Sequence, residues 1–409
     1  MTLTRDAKRD IQIVKDLNTY VVLELIRRTG PLGRSEVAQR TNISLATVCS
    51  IVGSLLEQGY VLESDSGEYT GGRRSPNYAF NPKAGYLMGV DVGGTKMLAG
   101  LTDLSGEIVA RAELPTPQGD CDNQAERVFA ELLRLIHQLQ EQIPVGSEGL
   151  RGLGLGVPGV VDRESGEVTL APALGWTRFP LKERLKEHYT CPVYCENDVN
   201  TILLGEQWRG AAQDAQNAVC VAIGTGIGAS IMINGSIYYG SSNAAGEVGY
   251  MVTTLEAMRQ SYPGYGYLES LGSGTGIAER AKQLLAKATE PSQIATLAAG
   301  GEIEAMHVMQ AAENNDPLAL LVVDETVQLL SAALINAACL LNPEIILLAG
   351  GVMKSGALFL SKIQETVNRV VPYPPQIALL KLGLDAGILG AVAGVIKSSE
   401  LSVKYSQLL

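Results

Sequence analysis

The segment Tyr194-Cys195-Glu196-Asn197-Asp198-Val199-Asn200 reads as a strand running into a helix, with a carboxylate, Asp198, where the strand ends. Open α/β sheets bind their ligands at the carboxyl ends of strands. A carboxylate there can accept a proton from a sugar hydroxyl while Asn197 hydrogen-bonds a neighbouring hydroxyl. The plainer reading, an asparagine N-cap on a polar turn, suits the local residues equally well. Two more carboxylates stand in polar settings further on: Glu247 in Gly246-Glu247-Val248-Gly249 and Glu269 in Tyr267-Leu268-Glu269-Ser270.

A second kind of chemistry is written in glycine. An apolar strand over residues 87–92 ends in Asp91-Val92-Gly93-Gly94-Thr95-Lys96, and a strand over 97–102 returns at once. An aspartate at a strand end followed by two glycines aims a carboxylate and several backbone N–H groups at one point, an arrangement able to hold a polyphosphate and its magnesium. The device recurs about 130 residues later, where residues 220–223 lead into Gly224-Thr225-Gly226-Ile227-Gly228 and a strand over 229–233. Tight hairpins also use glycine for purely conformational reasons. Two such hairpins predict two related lobes facing each other across a cleft. Gly154-Leu155-Gly156-Val157-Pro158-Gly159 has the dinucleotide-binding spacing, yet Val160-Val161-Asp162 and a polar turn follow it instead of a helix, which excludes that reading. No Walker A sequence occurs. The three histidines, His137, His188 and His307, stand far apart, and Cys191 and Cys195 have no second ligand pair at zinc spacing.

These groups need a scaffold, and the chain is long enough for two or three domains: 409 residues, 46% hydrophobic, with 45 glycines clustered beside Val, Ile and Leu runs. Residues 1–82 hold 10 basic and 9 acidic side chains, whereas residues 83–409 hold 22 and 34. A net charge of −11 excludes a protein that coats nucleic acid or anionic membrane along its length, so any DNA contact is confined to one segment. Residues 1–10 are charged and lack an apolar signal core, and six scattered cysteines make no disulfide scaffold. The longest apolar run, residues 329–341, is broken by Ser331 and Asn336 and is too short to span a bilayer. The expectation is a soluble cytoplasmic protein with no membrane partner.

The near-neutral segment has its own pattern. Ile13, Leu17, Val21, Leu25 and Ile26 recur at helical spacing before Gly30-Pro31, and a short helix over 34–40 follows. After the turn Thr41-Asn42-Ile43, Ser44 can cap a third helix over 45–58, with Val48, Ile51, Val52 and Leu55 inward. Ala46, Thr47 and Ser50 then face outward, small enough to lie deep in a major groove. Alternating runs over 60–64 and 69–80 predict a hairpin. Gly71-Gly72-Arg73-Arg74 in its second arm lets backbone approach a phosphate strand and offers two guanidiniums to a minor groove. Three helices and a glycine–arginine wing in this order predict a winged helix-turn-helix that ends at Asn81-Pro82.

As an ordered set, these motifs resemble the ROK family (repressors, open reading frames and sugar kinases), in its transcriptional-repressor branch. The head contributes Gly30-Pro31-Leu32-Gly33-Arg34-Ser35-Glu36, Ser44-Leu45-Ala46-Thr47-Val48 and the wing. The body contributes Asp91-Val92-Gly93-Gly94-Thr95, Val157-Pro158-Gly159, Glu196-Asn197-Asp198, the Gly224–Gly228 loop, Ala245-Gly246-Glu247-Val248-Gly249 and Leu348-Ala349-Gly350-Gly351-Val352. The resemblance implies an α/β, two-lobed, actin-like body of the sugar-kinase and ribonuclease H-like type. It implies a head over residues 1–82, a first lobe over 83–200 to which a helix over 386–409 returns, and a second lobe over 201–385. Asn197, Asp198, Glu247 and Glu269 fall at the family's sugar-contacting positions, and Asp198 at the catalytic base of its kinase branch. Asp91, Gly93, Gly94 and Thr95, with Gly224, Thr225, Gly226 and Gly228, fall at its phosphate loops. Ser44, Ala46, Thr47, Ser50, Arg73 and Arg74 would face DNA. Three positions depart from the family pattern. Tyr250 replaces a histidine that serves sugar and a structural zinc, residues 251–267 lack the cysteines of that zinc, and Ala173 replaces an asparagine. The expectation is therefore a body without zinc, in which Tyr262, Tyr265 and Tyr267 pack in the metal's place. The function expected is a sugar-responsive repressor acting as a homodimer or homotetramer on operator DNA. An ATP- and magnesium-dependent sugar kinase with an appended head is the alternative, and a sensor that binds neither ligand is a third reading.

Overall fold

The computed structural model describes residues 5–64, 76–119, 123–145, 147, 149–255, 257–260, 262 and 266–398. In the head, α1 (Arg5–Thr29) stops at Gly30, whose φ of +86° suits glycine. Helix α2 (Arg34–Thr41) turns at left-handed Asn42 into α3 (Leu45–Glu57). Val48, Ile51, Val52 and Leu55 are buried, and they pack with Val22, Ile26, Val37 and Tyr78 in one core. The hairpin is β2 (Val61–Ser64) and β3 (Asn77–Phe80), with Val61 opposite Phe80. A strand the sequence pattern did not predict, β1 (Leu32–Gly33), pairs with the other edge of β3. The wing residues Gly71, Gly72, Arg73 and Arg74 lie outside the described residues.

Head and body meet at a hydrogen-bonded joint. The Asn81 side-chain amide donates to Gly59 O at 2.8 Å, its N–H to Tyr60 O at 2.9 Å, and Leu104 N–H to Pro82 O at 2.9 Å. The Arg151 guanidinium stands 5.9 Å from the centre of the Tyr60 ring.

The body holds two five-stranded sheets. The first comprises β4 (Tyr86–Val92), β5 (Lys96–Asp103), β6 (Ile108–Pro115), β7 (Leu150–Val157) and β11 (Val193–Asn197), in the order β11-β7-β4-β5-β6. The second comprises β12 (Ala218–Ile223), β13 (Ile227–Ile233), β14 (Ser236–Ile237), β15 (Ile345–Ala349) and β16 (Gln376–Leu379), in the order β14-β13-β12-β15-β16. Taken in chain order, both sheets run 3-2-1-4-5. In both, the first strand is antiparallel to the second and parallel to the fourth. The near-continuous apolar runs of β4, β7, β12 and β15 fit strands covered on both faces. Helix α4 (Gln124–Gln140) covers the first sheet with Val128, Phe129, Leu132, Leu135, Ile136 and Leu139. Beside it lies a small sheet, β8 (Val160–Val161), β9 (Val168–Ala171) and β10 (Trp176–Phe179), closed by α5 (Leu181–His188). No helix follows Gly159, as the rejection of the dinucleotide reading requires.

Helix α6 (Asp198–Arg209) follows the fifth strand of the first sheet, and α13 (Asp385–Ser398) follows the fifth strand of the second. Their packing crosses over: α13 lies on β4, β7, β11 and β5 of the first sheet, α6 reaches β12 and β13 of the second, and the two helices pack on each other. Glycine permits the crossing, because a Cβ at Gly205 or Gly390 would strike the partner helix's backbone. The second lobe is completed by α7 (Tyr267–Gly272), α8 (Gly274–Leu285), α9 (Gln293–Leu297), α10 (Ala305–Glu313), α11 (Pro317–Leu341) and α12 (Leu360–Val370). Helix α11 corrects one expectation. It starts twelve residues before the apolar run at 329–341, and its 25 residues are long and apolar enough to cross a membrane by length and composition. Half of its most apolar window is buried, and Val322, Val323, Val327, Leu330 and Leu334 form the spine of the second lobe's core.

Candidate functional site

Helix α6, which follows the carboxyl end of β11, packs on β12 and β13, and the loop before Tyr250 is hydrogen-bonded to β13 through the Ala229 N–H and Gly246 O. Asp91, the penultimate residue of β4, sits at the N-terminus of α13. A Cβ at Gly387, in that helix's first turn, would stand 3.0 Å from the Asp91 carboxyl carbon. Burial is the main force pushing the Asp91 carboxyl up to about 7, the Asp198 charge adds to it, and Lys96 opposes. Asp198 opens α6, and burial raises its carboxyl too, against hydrogen bonding that includes the Val199 N–H at 2.9 Å. Glu247 is raised by burial and then by the charges of Glu269 and Asp198. Glu269, on α7, accepts the Ile227 N–H at 2.7 Å, and a Cβ at Gly226 would stand 2.6 Å from that carboxylate oxygen. A Cβ at Gly228 would stand 3.5 Å from the Val199 side chain, so the second lobe's hairpin lies against α6 beside Asp198. The Asp198 charge therefore acts on Asp91 in the first lobe and on Glu247 in the second, and the Glu269 charge acts on Glu247. Crowded carboxylates favour a ligand rich in O–H donors.

Asn197 makes the N-cap contacts of its plainer reading. Its carbonyl oxygen accepts the N–H groups of Val199 and Asn200 at 2.9 and 3.2 Å, and its amide donates to Gly159 O at 2.9 Å. It caps α6 and ties β11 to the turn after β7.

Both glycine loops are braced. In the first, Gly93 N–H donates to Lys96 O at 2.9 Å, the Thr116 hydroxyl to Gly93 O at 2.7 Å, and Thr116 N–H to Thr95 O at 2.9 Å. In the second, Gly224 N–H donates to Gly226 O at 2.9 Å, Gly274 N–H to Gly224 O at 2.8 Å, and the Thr275 hydroxyl to Thr225 O at 3.1 Å. Gly274 is the first residue of α8, so that loop lies at a helix N-terminus, a setting that favours anions. A Cβ at Gly94 would stand 3.1 Å from the Ala173 methyl, which puts the Ala173 departure directly on the first loop.

The segment where the family carries zinc does not fit that metal. Residues 251–267 contain no cysteine, and Tyr250 is 62% exposed. The Tyr262 ring stands edge-on to buried Tyr267 with centroids 5.4 Å apart, in the manner expected of aromatic replacement, while Tyr265 lies outside the described residues. Among the described residues, no group of three or more His, Cys, Asp or Glu is arranged to hold a metal ion.

On the head, Ser44 caps α3. Its hydroxyl oxygen accepts the Thr47 N–H at 3.2 Å and lies 2.8 Å from the Thr47 hydroxyl. Ser44, Ala46 and Ser50 are exposed and Thr47 is half-buried, a shallow face at the start of the helix. The structure adds Leu45, 49% exposed at the first helical position. An apolar side chain placed there can meet a thymine methyl. The inward stripe of α3 hides this signal, because Leu45 is three residues from Val48 and reads as core by spacing alone. Sequence reasoning also missed Glu196, which is 5% exposed and accepts hydrogen bonds from Tyr194, Tyr239, Asn197 and Asn200.

The ROK family profile matches residues 87–398, and the IclR helix-turn-helix domain profile matches residues 18–65. The xylose repressor of Bacillus subtilis is 30% identical over 359 residues, covering 88% of this chain and 88% of that protein. A glucokinase of Halalkalibacterium halodurans is 34% identical over 326 residues, 78% of this chain and 97% of its own length. A crystal structure of a ROK family transcriptional regulator, a homologue of the Escherichia coli Mlc protein, superposes with a TM-score of 0.79 at 23% identity. It covers 97% of this chain and 99% of that one. With a two-lobed body of repeated sheets, carboxylates gathered between them and a helix-turn-helix head, the chain belongs to the ROK family.

Proposed function

We propose that this protein is a sugar-responsive transcriptional repressor of carbohydrate-utilisation genes. One observation carries the reading: a single chain joins a helix-turn-helix head, with an exposed small-residue face on α3, to a carboxylate cluster shared by two lobes. A kinase needs only the second of these. The domain scheme is a head over 1–82, a first lobe over 83–200 that takes back the C-terminal helix, and a second lobe over 201–385. Ala46, Thr47 and Ser50 read base edges, Ser44 sets the helix start, and Arg73 and Arg74 enter the adjacent minor groove. Asp198, Glu247 and Glu269 accept hydrogen bonds from sugar hydroxyls, and Asn197 holds Asp198 in position. Palindromic operators need two heads at fixed spacing, so the body assembles as a homodimer or homotetramer, in the cytoplasm where the chromosome lies. Sugar binding shifts the relative lobe positions and changes operator affinity by about 1–3 kcal/mol of coupling.

The test uses the full chain, an operator fragment and a panel of D-xylose, D-glucose and N-acetyl-D-glucosamine. One sugar should raise the melting temperature and alter operator binding, and Asp198→Asn should weaken that sugar about 10- to 100-fold. An operator shift indifferent to every sugar on the panel overturns the sensing half of the proposal. Operator binding left unchanged by Arg73→Ala plus Arg74→Ala removes the wing.

A sugar kinase remains the second reading, favoured by the raised proton affinity of Asp198 and by the glucokinase relative. In that case Asp198 takes the sugar hydroxyl's proton. The two braced loops would hold the phosphates of ATP, and the magnesium that accompanies ATP would supply charge neutralisation near Asp91. Coupled ATP turnover that Asp198→Asn abolishes would establish it. No turnover with any panel sugar would exclude it.

A further inference from the structure

The residue just before the Asn197–Asp198 pair does a task that neither the family motif nor the carboxylate cluster explains. Glu196 is all but sealed from solvent, yet it is a carboxylate on the last strand of the first sheet. One of its oxygens accepts the Asn197 N–H and the Asn200 side-chain amide, each at 2.9 Å, and so grips the start of α6 from within the first lobe. The other accepts two phenols. The Tyr194 hydroxyl, at 2.9 Å, comes from the same strand. The Tyr239 hydroxyl, at 2.7 Å, comes from the loop after β14 in the second lobe.

Tyr239 is held from two further directions. The Arg163 guanidinium, from the turn between β8 and β9, stands 5.0 Å from its ring centre. Its own carbonyl accepts the Ala245 N–H at 3.0 Å, and the next residue, Gly246, gives its carbonyl to the Ala229 N–H at 2.8 Å. The loop from residue 239 to residue 247 is thus pinned to β13 at its far end, just before Glu247. At its near end it is pinned to the first lobe through a charge-assisted hydrogen bond, a strong class of contact in a site shielded from water.

We propose that Tyr239 and Glu196 are positioning residues for the sugar cleft: a cross-lobe strap that fixes the Glu247 loop relative to Asp198, so that carboxylates from both lobes present one ligand-shaped surface. Neither residue needs to touch the ligand. The strap deepens the sugar-sensing reading and rests on it for its ligand class, but its mechanical content stands on the Tyr239–Glu196 contact alone. It also accounts for Tyr194, which fills the remaining acceptor capacity of Glu196 from within its own lobe.

Tyr239→Phe removes one hydroxyl and keeps the ring that Arg163 covers. Tyr194→Phe removes a hydroxyl from the same carboxylate and leaves the Tyr239–Glu196 hydrogen bond in place, and serves as the control. Hydrogen–deuterium exchange of the full-length chain without ligand reads the strap directly. Exchange across residues 239–247, the Ala245 amide included, should rise about tenfold in Tyr239→Phe and stay at the wild-type level in Tyr194→Phe. Calorimetry with D-xylose, D-glucose and N-acetyl-D-glucosamine should show about tenfold weaker binding of whichever sugar the wild type binds, in Tyr239→Phe only. Unchanged exchange in Tyr239→Phe, or equal rises in both variants, overturns the strap. If the wild type binds none of the three sugars, the sensing reading fails, and the exchange comparison still decides whether the lobes are strapped.

Discussion

The two lobes are built on one plan and loaded differently. In the first, β4 runs to Asp91 opposite Gly156 of β7. In the second, β12 runs to Ala222 opposite Ala349 of β15, at the same step of the same sheet order. Each strand then turns through glycines into an antiparallel partner. Val92 pairs with Met97 in the first lobe, and Ile223 with Ile227 in the second. The first lobe thus carries one acid, Asp91, on the strand itself, against the N-terminus of α13, and a second, Asp198, at the start of α6. The second has alanine there and brings its acids from outside the sheet, Glu269 from α7 and Glu247 from the loop before Tyr250. A repeated frame therefore does not repeat its chemistry. It supplies two matched edges that carry different residues.

The crossing of α6 and α13 should be the least forgiving part of that frame. A methyl at Gly390 would run into the Thr201 carbonyl and come within 2.9 Å of the Gly205 nitrogen. Gly224, on the second lobe's loop, has nothing within 4 Å of its missing Cβ. Gly390→Ala should cost about 3 kcal/mol or more in urea unfolding, despite the better helix propensity of alanine, whereas Gly224→Ala should stay within about 0.5 kcal/mol. Equal costs would mean that the lobes are not joined through this crossing.

Asp91 should make the stability of the wild type depend on pH in a way that the alanine of the second lobe cannot. Its folded carboxyl titrates at about 7 against an ordinary 3.8. Between those values the folded chain holds a proton that the unfolded chain has lost, so stability falls as pH rises from about 4 through 7 and the penalty is complete above that. Asp91→Asn removes the penalty. The variant should match the wild type near pH 4 and exceed it at pH 8 by about 1–3 kcal/mol, with a flatter profile between. A variant less stable than the wild type at pH 8 would show that the charged form is favoured by a partner, magnesium or otherwise.

Much of this was legible in residue order, because the signals were local. The two glycine hairpins, the capped helix after Ser44 and the strand ending at Asn197 each depend on a dozen neighbouring residues, and each forms where the pattern puts it. Glu196 is a different case. Its decisive partner, Tyr239, is 43 residues away in the other lobe, and an interior glutamate next to an Asn-Asp pair carries no periodic mark. The α6–α13 crossing brings Thr201 against Gly390, a meeting that neither helix's composition announces. Strand β1 is two residues long, too short for any alternation, and exists because β3 offers it an edge. Asn197 had two readings that its local sequence weighed equally. The bond from its amide to the turn carbonyl of Gly159 was out of view of the motif.

The finest difference between the lobes lies in how each loop is braced, since both use a threonine hydroxyl donated to a loop carbonyl. Thr116 is 3% exposed and its bond to Gly93 O is 2.7 Å long. Thr275 is exposed and its bond to Thr225 O is 3.1 Å long. Water can replace the second bond and has little access to the first. Valine keeps the shape of threonine and deletes the hydroxyl, leaving the Gly93 carbonyl without that donor in the first lobe. Thr116→Val should therefore cost about 1–2 kcal/mol in urea unfolding, and Thr275→Val less than about 0.5 kcal/mol. The ordering carries the argument. If Thr275→Val proved the costlier change, the second loop would be the more firmly braced of the two.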